Sequence, residues 1–260
     1  MTTIGQQATL ETMTIQDQPL LRADVYLPSG VPRAVIIFYY GGSWQSGKRR
    51  WYGFVGRSLA EHGYVVVIPD YRKAPEVTFP VFITDSALAV RWTISMRQRW
   101  GSPPLFLSGH SAGAHIALLL ATDARYLAAE GVQLAQIKGV IGIAGPYDFL
   151  PMTDPKIIAA FGGDRWLAAS QPIQFAGRET PPLLLLHGDA DRLVLKRNSE
   201  RLAAKVQDAG GKAEVHIYSG LGHIGALLAF ARGIAHRAPV LEDMTTWIEQ
   251  QLAAPEQPLG

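Results

Sequence analysis

The chain contains no cysteine. This excludes disulfides, thiolate nucleophiles and cysteine-ligated metal centres in one step. Long apolar runs are missing too: no stretch reaches the roughly 18 uninterrupted apolar residues of a membrane span. The N-terminal MTTIGQQATLETM lacks a basic start followed by an apolar segment. No signal peptide is read there, and the expected location is cytoplasmic, with no membrane partner. Charge of one sign is scarce: 24 Lys and Arg stand against 22 Asp and Glu, a net +2. The densest basic cluster, Lys48-Arg49-Arg50, reads as a solvated loop rather than a phosphate site, so no nucleic-acid partner is expected. Repeats, low-complexity tracts and linkers are also lacking, and residues 1–260 are expected to form one domain.

What is present is a sequence rich enough in apolar residues for a large core, 48% hydrophobic and 18% charged. Short runs that are apolar throughout occur at 34–39, 64–68, 104–107, 140–144 and 183–186. Such runs suit parallel strands covered on both faces. The run 213–218 (AEVHIY) alternates and suits an outer strand, while 10–15 and 23–27 read as an opening antiparallel pair. Between them, 52–61, 83–97, 112–127, 199–209 and 241–252 carry helical spacing, with Gly63 and Gly210-Gly211 as stop signals. The order predicts an α/β fold with a doubly wound, mostly parallel sheet. Ligands in such sheets bind beyond the carboxyl ends of the strands, so a site residue should follow a strand directly.

Gly109-His110-Ser111-Ala112-Gly113 meets that condition. It matches G-x-S-x-G, entered from the strand-like PLFL and left through the helix-like AGAHIALLLA. A very tight strand-to-helix turn lifts the Ser111 hydroxyl clear of the sheet, and the helix start beneath it favours negative charge. The competing reading is a Gly-rich turn that merely ends a strand. A serine nucleophile needs a general base, and the base needs an orienting carboxylate. With the order Ser, acid, His, the base candidates are His187, His216, His223 and His236. His187 precedes the acid, His216 lies inside a strand-like run, and His236 follows no strand. His223, in the loop after 213–218, has the required position. For the acid, Asp189 and Asp191 compete, both in the loop after 183–186; Asp189 lies close to the strand end, while Asp191, further into the loop, has more freedom to reach His223. The one not used falls to an Asx-type turn or a helix N-cap.

Four segments together resemble the acetyl esterase and feruloyl-esterase-like branch of the α/β-hydrolases, near the hormone-sensitive-lipase-like and kynurenine formamidase-like enzymes. Tyr40-Gly41-Gly42-Ser43-Trp44 with Gly47 is similar to an H-G-G-x-W…G oxyanion segment. Asp70-Tyr71-Arg72-Lys73-Ala74-Pro75-Glu76 with Phe79-Pro80 is similar to D-Y-R-x-x-P-E…F-P. The elbow at 109–113 is the third segment. His187-Gly188…Asp191…Val194 is similar to H-G-x-x-D-x-x-V, whose Asp is the triad acid, and the resemblance therefore selects Asp191. Tyr40 departs from the family, which has His there; it either braces the loop through its hydroxyl or lines the pocket.

The resemblance implies an α/β-hydrolase without a large cap domain, and a serine carboxylesterase that uses Ser111, Asp191 and His223. The implied oxyanion hole is the backbone of Gly42, Ser43 and Ala112. Trp44, Tyr40, His110 and Tyr147 are expected to contact substrate. Neither metal nor organic cofactor is called for, and the expected partner is a small-molecule ester. Residues 145–182, rich in aromatics and Gly, read as a short lid-like insertion over a shallow site that prefers short acyl chains. Packing of those aromatics onto the core is the other reading. An arylformamidase, a kynurenine formamidase-like amide hydrolase with the same triad, is the alternative activity.

Overall fold

The computed structural model describes residues 8–231 and 238–254. Among them, eight strands form one sheet in the order β1-β2-β4-β3-β5-β6-β7-β8. The five apolar runs become β3 (Ala34–Tyr39), β4 (Tyr64–Pro69), β5 (Leu105–His110), β6 (Ile137–Ile143) and β7 (Leu183–Gly188). All pair in parallel, and with the exception of Lys138 every residue in them is buried. Burial on both faces is why these runs do not alternate. β1 (Thr9–Gln16) and β8 (Ala213–Tyr218) are the sheet edges and are more exposed; β1 alternates over most of its length, while β8 is buried only at its two ends. β2 (Leu21–Leu27) pairs antiparallel with both β1 and β4.

Helices cover the sheet: α1 (Gly53–Glu61), α2 (Val81–Met96), α3 (Ala112–Thr122), α4 (Ala124–Ala129), α5 (Pro155–Ala160), α6 (Pro172–Phe175), α7 (Arg197–Asp208), α8 (His223–Leu228) and α9 (Val240–Ala253). The helix expected over 112–127 is two. Asp123 leaves the helical backbone at ψ 91° and its side chain accepts from the N–H of Arg125, which caps α4 and stops α3. The segment after β8, expected as loop, turns helical at His223 with Gly222 as N-cap. Residues 145–182 hold α5, α6 and two short 3-10 turns, Gly163–Trp166 and Ala168–Ser170.

The chain order places the site. From β3 it passes through α1 to β4 on one side, then through α2 to β5 on the other side of β3. That reversal opens a crevice at the carboxyl ends of β3 and β5. Tyr39 pairs with Gly109 in register, so the segments that follow these strands, 40–44 and 111–113, emerge side by side.

Candidate active site

Ser111 joins β5 to α3 with φ 55° and ψ −122°, a backbone that non-glycine residues rarely adopt. Such a conformation costs on the order of 1–3 kcal/mol and persists only where the surroundings enforce it. Here the N–H of Ser111 donates to the Ile143 carbonyl at 2.9 Å, and its carbonyl accepts the His115 N–H. Gly113 fits because a Cβ there would lie 2.0 Å from the carbonyl oxygen of Tyr39. The glycine is the condition under which α3 can start against β3.

Three side chains from three separate loops meet at this turn. His223 Nε2 lies 2.9 Å from Ser111 Oγ, and His223 Nδ1 lies 2.7 Å from Asp191 Oδ2. The carboxylate oxygen accepts, so Nδ1 carries the proton and Nε2 presents its lone pair to the hydroxyl. The Asp191 side chain is fully buried and the His223 ring is 10% exposed. Asp191 Oδ1 accepts the N–H groups of Leu193 and Val194, each at 2.9 Å, which holds the carboxylate aimed at the imidazole. Asp189 instead accepts the Gly220 N–H at 2.7 Å and ties the β7 loop to the β8 loop. It does not reach His223 in this arrangement.

The remaining histidines are placed elsewhere. His187 is buried beneath the acid loop, bonded through Nδ1 to Ser199 and through Nε2 to the Val194 carbonyl; burial lowers its pKa. His216 pairs with Asp243 on the β8 edge at 3.1 Å. His236 lies outside the described residues.

The segment after β3 packs directly on the turn: a Cβ at Gly41 would come 3.1 Å from Ser111 Cβ. Ser43 and Trp44 both hold positive φ, 52° and 58°. The loop is braced from behind. Tyr52 Oη accepts the Gly41 N–H at 3.0 Å, Tyr71 Oη donates to the Tyr40 carbonyl at 2.8 Å, and the Ala74 N–H donates to the Trp44 carbonyl. The Asp70-Tyr71-Arg72 segment is thus a support for this loop, itself anchored by Arg72 on buried Asp85. Arg49 is not a solvated loop residue as expected. Its guanidinium sits between Asp24 and Asp70, while Lys48 and Arg50 are exposed. Ala112 opens α3, so its N–H is one of the helix-start donors without an intrahelical acceptor.

A cavity of about 280 Å³ opens at Ser111, walled by Ser43, Trp44 and Ala112 on one side and by Phe149, Met152 and Leu193 on the other. Trp44 is therefore where a substrate contact was expected. Tyr40, His110 and Tyr147 are not: each is buried behind the cavity rather than on its wall. Tyr40 stacks on Tyr71 and its hydroxyl takes a hydrogen bond from Lys73, a bracing role. His110 contacts the His223 backbone carbonyl through Nε2 at 3.1 Å, and burial lowers its pKa to about 3. Tyr147 is held because α7 reaches it: its N–H and that of Asp148 both donate to Asn198 Oδ1. Phe149 is one of the aromatics of 145–182 for which a pocket wall was one expected role, and it lines the cavity. Sequence reasoning missed Tyr52 and His115. Only His115 carried a signal, a histidine one turn into the helix that Ser111 starts.

A parallel sheet with this crossover, and a serine on a strained strand-to-helix turn facing a histidine and a buried aspartate, define the α/β-hydrolase class. The BD-FAE family pattern matches residues 23–206, more than half of the chain, and the chain belongs to that family. The prolyl oligopeptidase family pattern also matches residues 161–254. Isoprenylcysteine alpha-carbonyl methylesterase of Arabidopsis thaliana is 30% identical over 237 residues, covering 82% of this chain and 56% of that protein. Esterase LipC of Mycobacterium tuberculosis is 31% identical over 244 residues, covering 83% and 60%. The chain thus spans less than two thirds of the length of these curated relatives. Among solved structures, Thermogutta terrifontis esterase 2 superposes with a TM-score of 0.79 at 23% identity, over 95% of this chain and 96% of that one. Among the described residues no helix is long and apolar enough to cross a membrane.

Proposed function

We propose that the protein is a serine carboxylesterase that hydrolyses small, short-acyl-chain esters through an acyl-enzyme. The observation that carries this reading is the Ser111–His223–Asp191 relay at the mouth of the cavity. Ser111 Oγ attacks the ester carbonyl as His223 Nε2 takes its proton. Asp191 keeps the imidazole in the required tautomer and stabilises the imidazolium. The oxyanion is received by backbone N–H groups of Gly42, Ser43 and Ala112, donors that are typically worth on the order of 10²–10³ in rate each. Collapse expels the alcohol with the proton from His223, and water then repeats the sequence on the acyl-enzyme. The relatives named as esterases support the reaction class. The cavity supports a small substrate: at about 280 Å³ it sits at the lower end of the roughly 300–1,000 Å³ typical of ligand pockets. The same reading takes a small-molecule ester as the partner and the cytoplasm as the location.

The test is a series of p-nitrophenyl esters from acetate to laurate, with N-formylkynurenine as a parallel arm. The expected result is a kcat/KM maximum at acetate to butyrate, and a loss on the order of 10⁶ in kcat for Ser111→Ala. A maximum at octanoate or longer refutes the short-chain preference. Faster turnover of N-formylkynurenine than of the acetate moves the protein to the arylformamidases.

A further inference from the structure

Resting on that reading, we propose that His115 is a positioning residue that sets the acyl-chain limit by fixing the indole of Trp44 as a wall of the cavity. His115 lies in α3 and is fully buried. Its ring bridges the loop after β3 and the 168–170 turn. Nδ1 lies 3.2 Å from Trp44 Nε1, and Nε2 lies 2.7 Å from the Ser170 carbonyl. An indole N–H only donates and a carbonyl only accepts, so one neutral tautomer satisfies both: Nδ1 accepts from Trp44 and Nε2 donates to Ser170. Burial holds the pKa of His115 near 4, which keeps the Nδ1 lone pair available.

The two ends of this bridge control the two aromatic walls. Trp44 stacks on Phe149, ring centroids 5.8 Å apart at 19°, and both line the cavity. Phe149 is itself placed from the Ser170 side. Its N–H donates to Gln171 Oε1 at 2.8 Å, and Gln171 Nε2 donates to Ser170 Oγ. Phe161 closes the cluster edge-on against Trp44 at 4.7 Å. Trp44 is packed against Phe82, Phe149 and Phe161, and its carbonyl accepts the Ala74 N–H. The hydrogen bond to His115 adds the polar constraint that fixes the rotation of the indole within that packing. If it is lost, the indole turns and the cavity lengthens at its apolar end, away from Ser111.

The discriminating variants are His115→Asn and His115→Gln, with His115→Leu as a third. An Asn carbonyl oxygen reaches the Nδ1 position and keeps the bond to Trp44. A Gln amide nitrogen reaches the Nε2 position and keeps only the bond to Ser170. The readout is the ratio of kcat/KM for p-nitrophenyl hexanoate to that for the acetate. The ratio should rise about tenfold or more in the Gln and Leu variants, the effect of room for one further methylene. It should stay within about threefold of wild type in the Asn variant, the size of a repacking without new volume. An unchanged ratio in the Gln variant overturns the proposal, as does an equal rise in the Asn variant. If the Leu variant does not fold, the Asn and Gln pair decides. Failure of the esterase reading is distinguishable: wild-type protein would then neither hydrolyse these esters nor label at Ser111 with a fluorophosphonate probe, and the proposal would fall with it.

Discussion

Asp191→Asn is the perturbation whose outcome the geometry specifies most narrowly. Asp191 Oδ1 receives two backbone N–H groups, and Oδ2 receives His223 Nδ1–H at 2.7 Å. An asparagine has one acceptor oxygen and one donor nitrogen. The N–H groups of Leu193 and Val194 cannot change their character, so the amide oxygen must stay with them. The amide nitrogen then faces His223, which adapts by switching tautomer. Nδ1 becomes the acceptor and Nε2 carries a proton toward Ser111 Oγ, so the base is blocked although no atom has moved far. A wrong-tautomer triad of this kind loses about 10⁴ in kcat, or roughly 5 kcal/mol of barrier. The assay is kcat on p-nitrophenyl acetate, with thermal unfolding to show that the fold is retained. Asp189→Asn is the control. Among the described residues the Asp189 side chain accepts the Gly220 N–H and does not touch the His223 ring, so its loss should be less than about tenfold. An Asp191→Asn enzyme that keeps about a tenth of wild-type kcat would refute the reasoning. So would an Asp189→Asn enzyme that falls as far.

Gly113→Ala should prevent folding or cost more than about 3 kcal/mol, because the added Cβ would sit 2.0 Å from the Tyr39 carbonyl oxygen; denaturant unfolding checks this. Tyr52→Phe should destabilise by roughly 1–3 kcal/mol, because it leaves the buried Gly41 N–H without its acceptor; a matching change in urea midpoint is the measurement. Stability should also fall with acid in a defined window. Burial lowers His110 to about 3 and His115 to about 4 from 6.5, so the unfolded chain binds more protons below pH 6.5. Their contribution is complete above pH 6.5 and is lost as pH falls through that interval. For His115 the loss amounts to about 3 kcal/mol. In the His115→Asn protein the same pH series of urea midpoints should be visibly flatter.

The sequence by itself determined the layered α/β fold. β3 and β8 fall where their apolar and alternating runs predict, because burial on two faces or one imposes different patterns on the chain. It also singled out Ser111 as the candidate nucleophile, since a glycine-flanked serine between a strand and a helix leaves a local signature, and His223 as the candidate base by its place after β8. Position in the loop left Asp189 and Asp191 both open, and the likeness to H-G-x-x-D-x-x-V selected Asp191. In space, the amides of Leu193 and Val194 aim that carboxylate at His223. Tyr40, His110 and Tyr147 read as pocket residues because they neighbour site segments in sequence. The tertiary structure turns them into the core, where adjacency in the chain gives no access to the cavity. His115, Phe149 and Tyr52 act through contacts spanning 71 residues for Trp44–His115, 22 for Phe149–Gln171 and 11 for Gly41–Tyr52. The first joins the loop after β3 to α3, and the second closes the 145–182 segment on itself, so only folding could bring either pair together. Tyr52 is near in sequence but folds back from α1's approach to hold the loop.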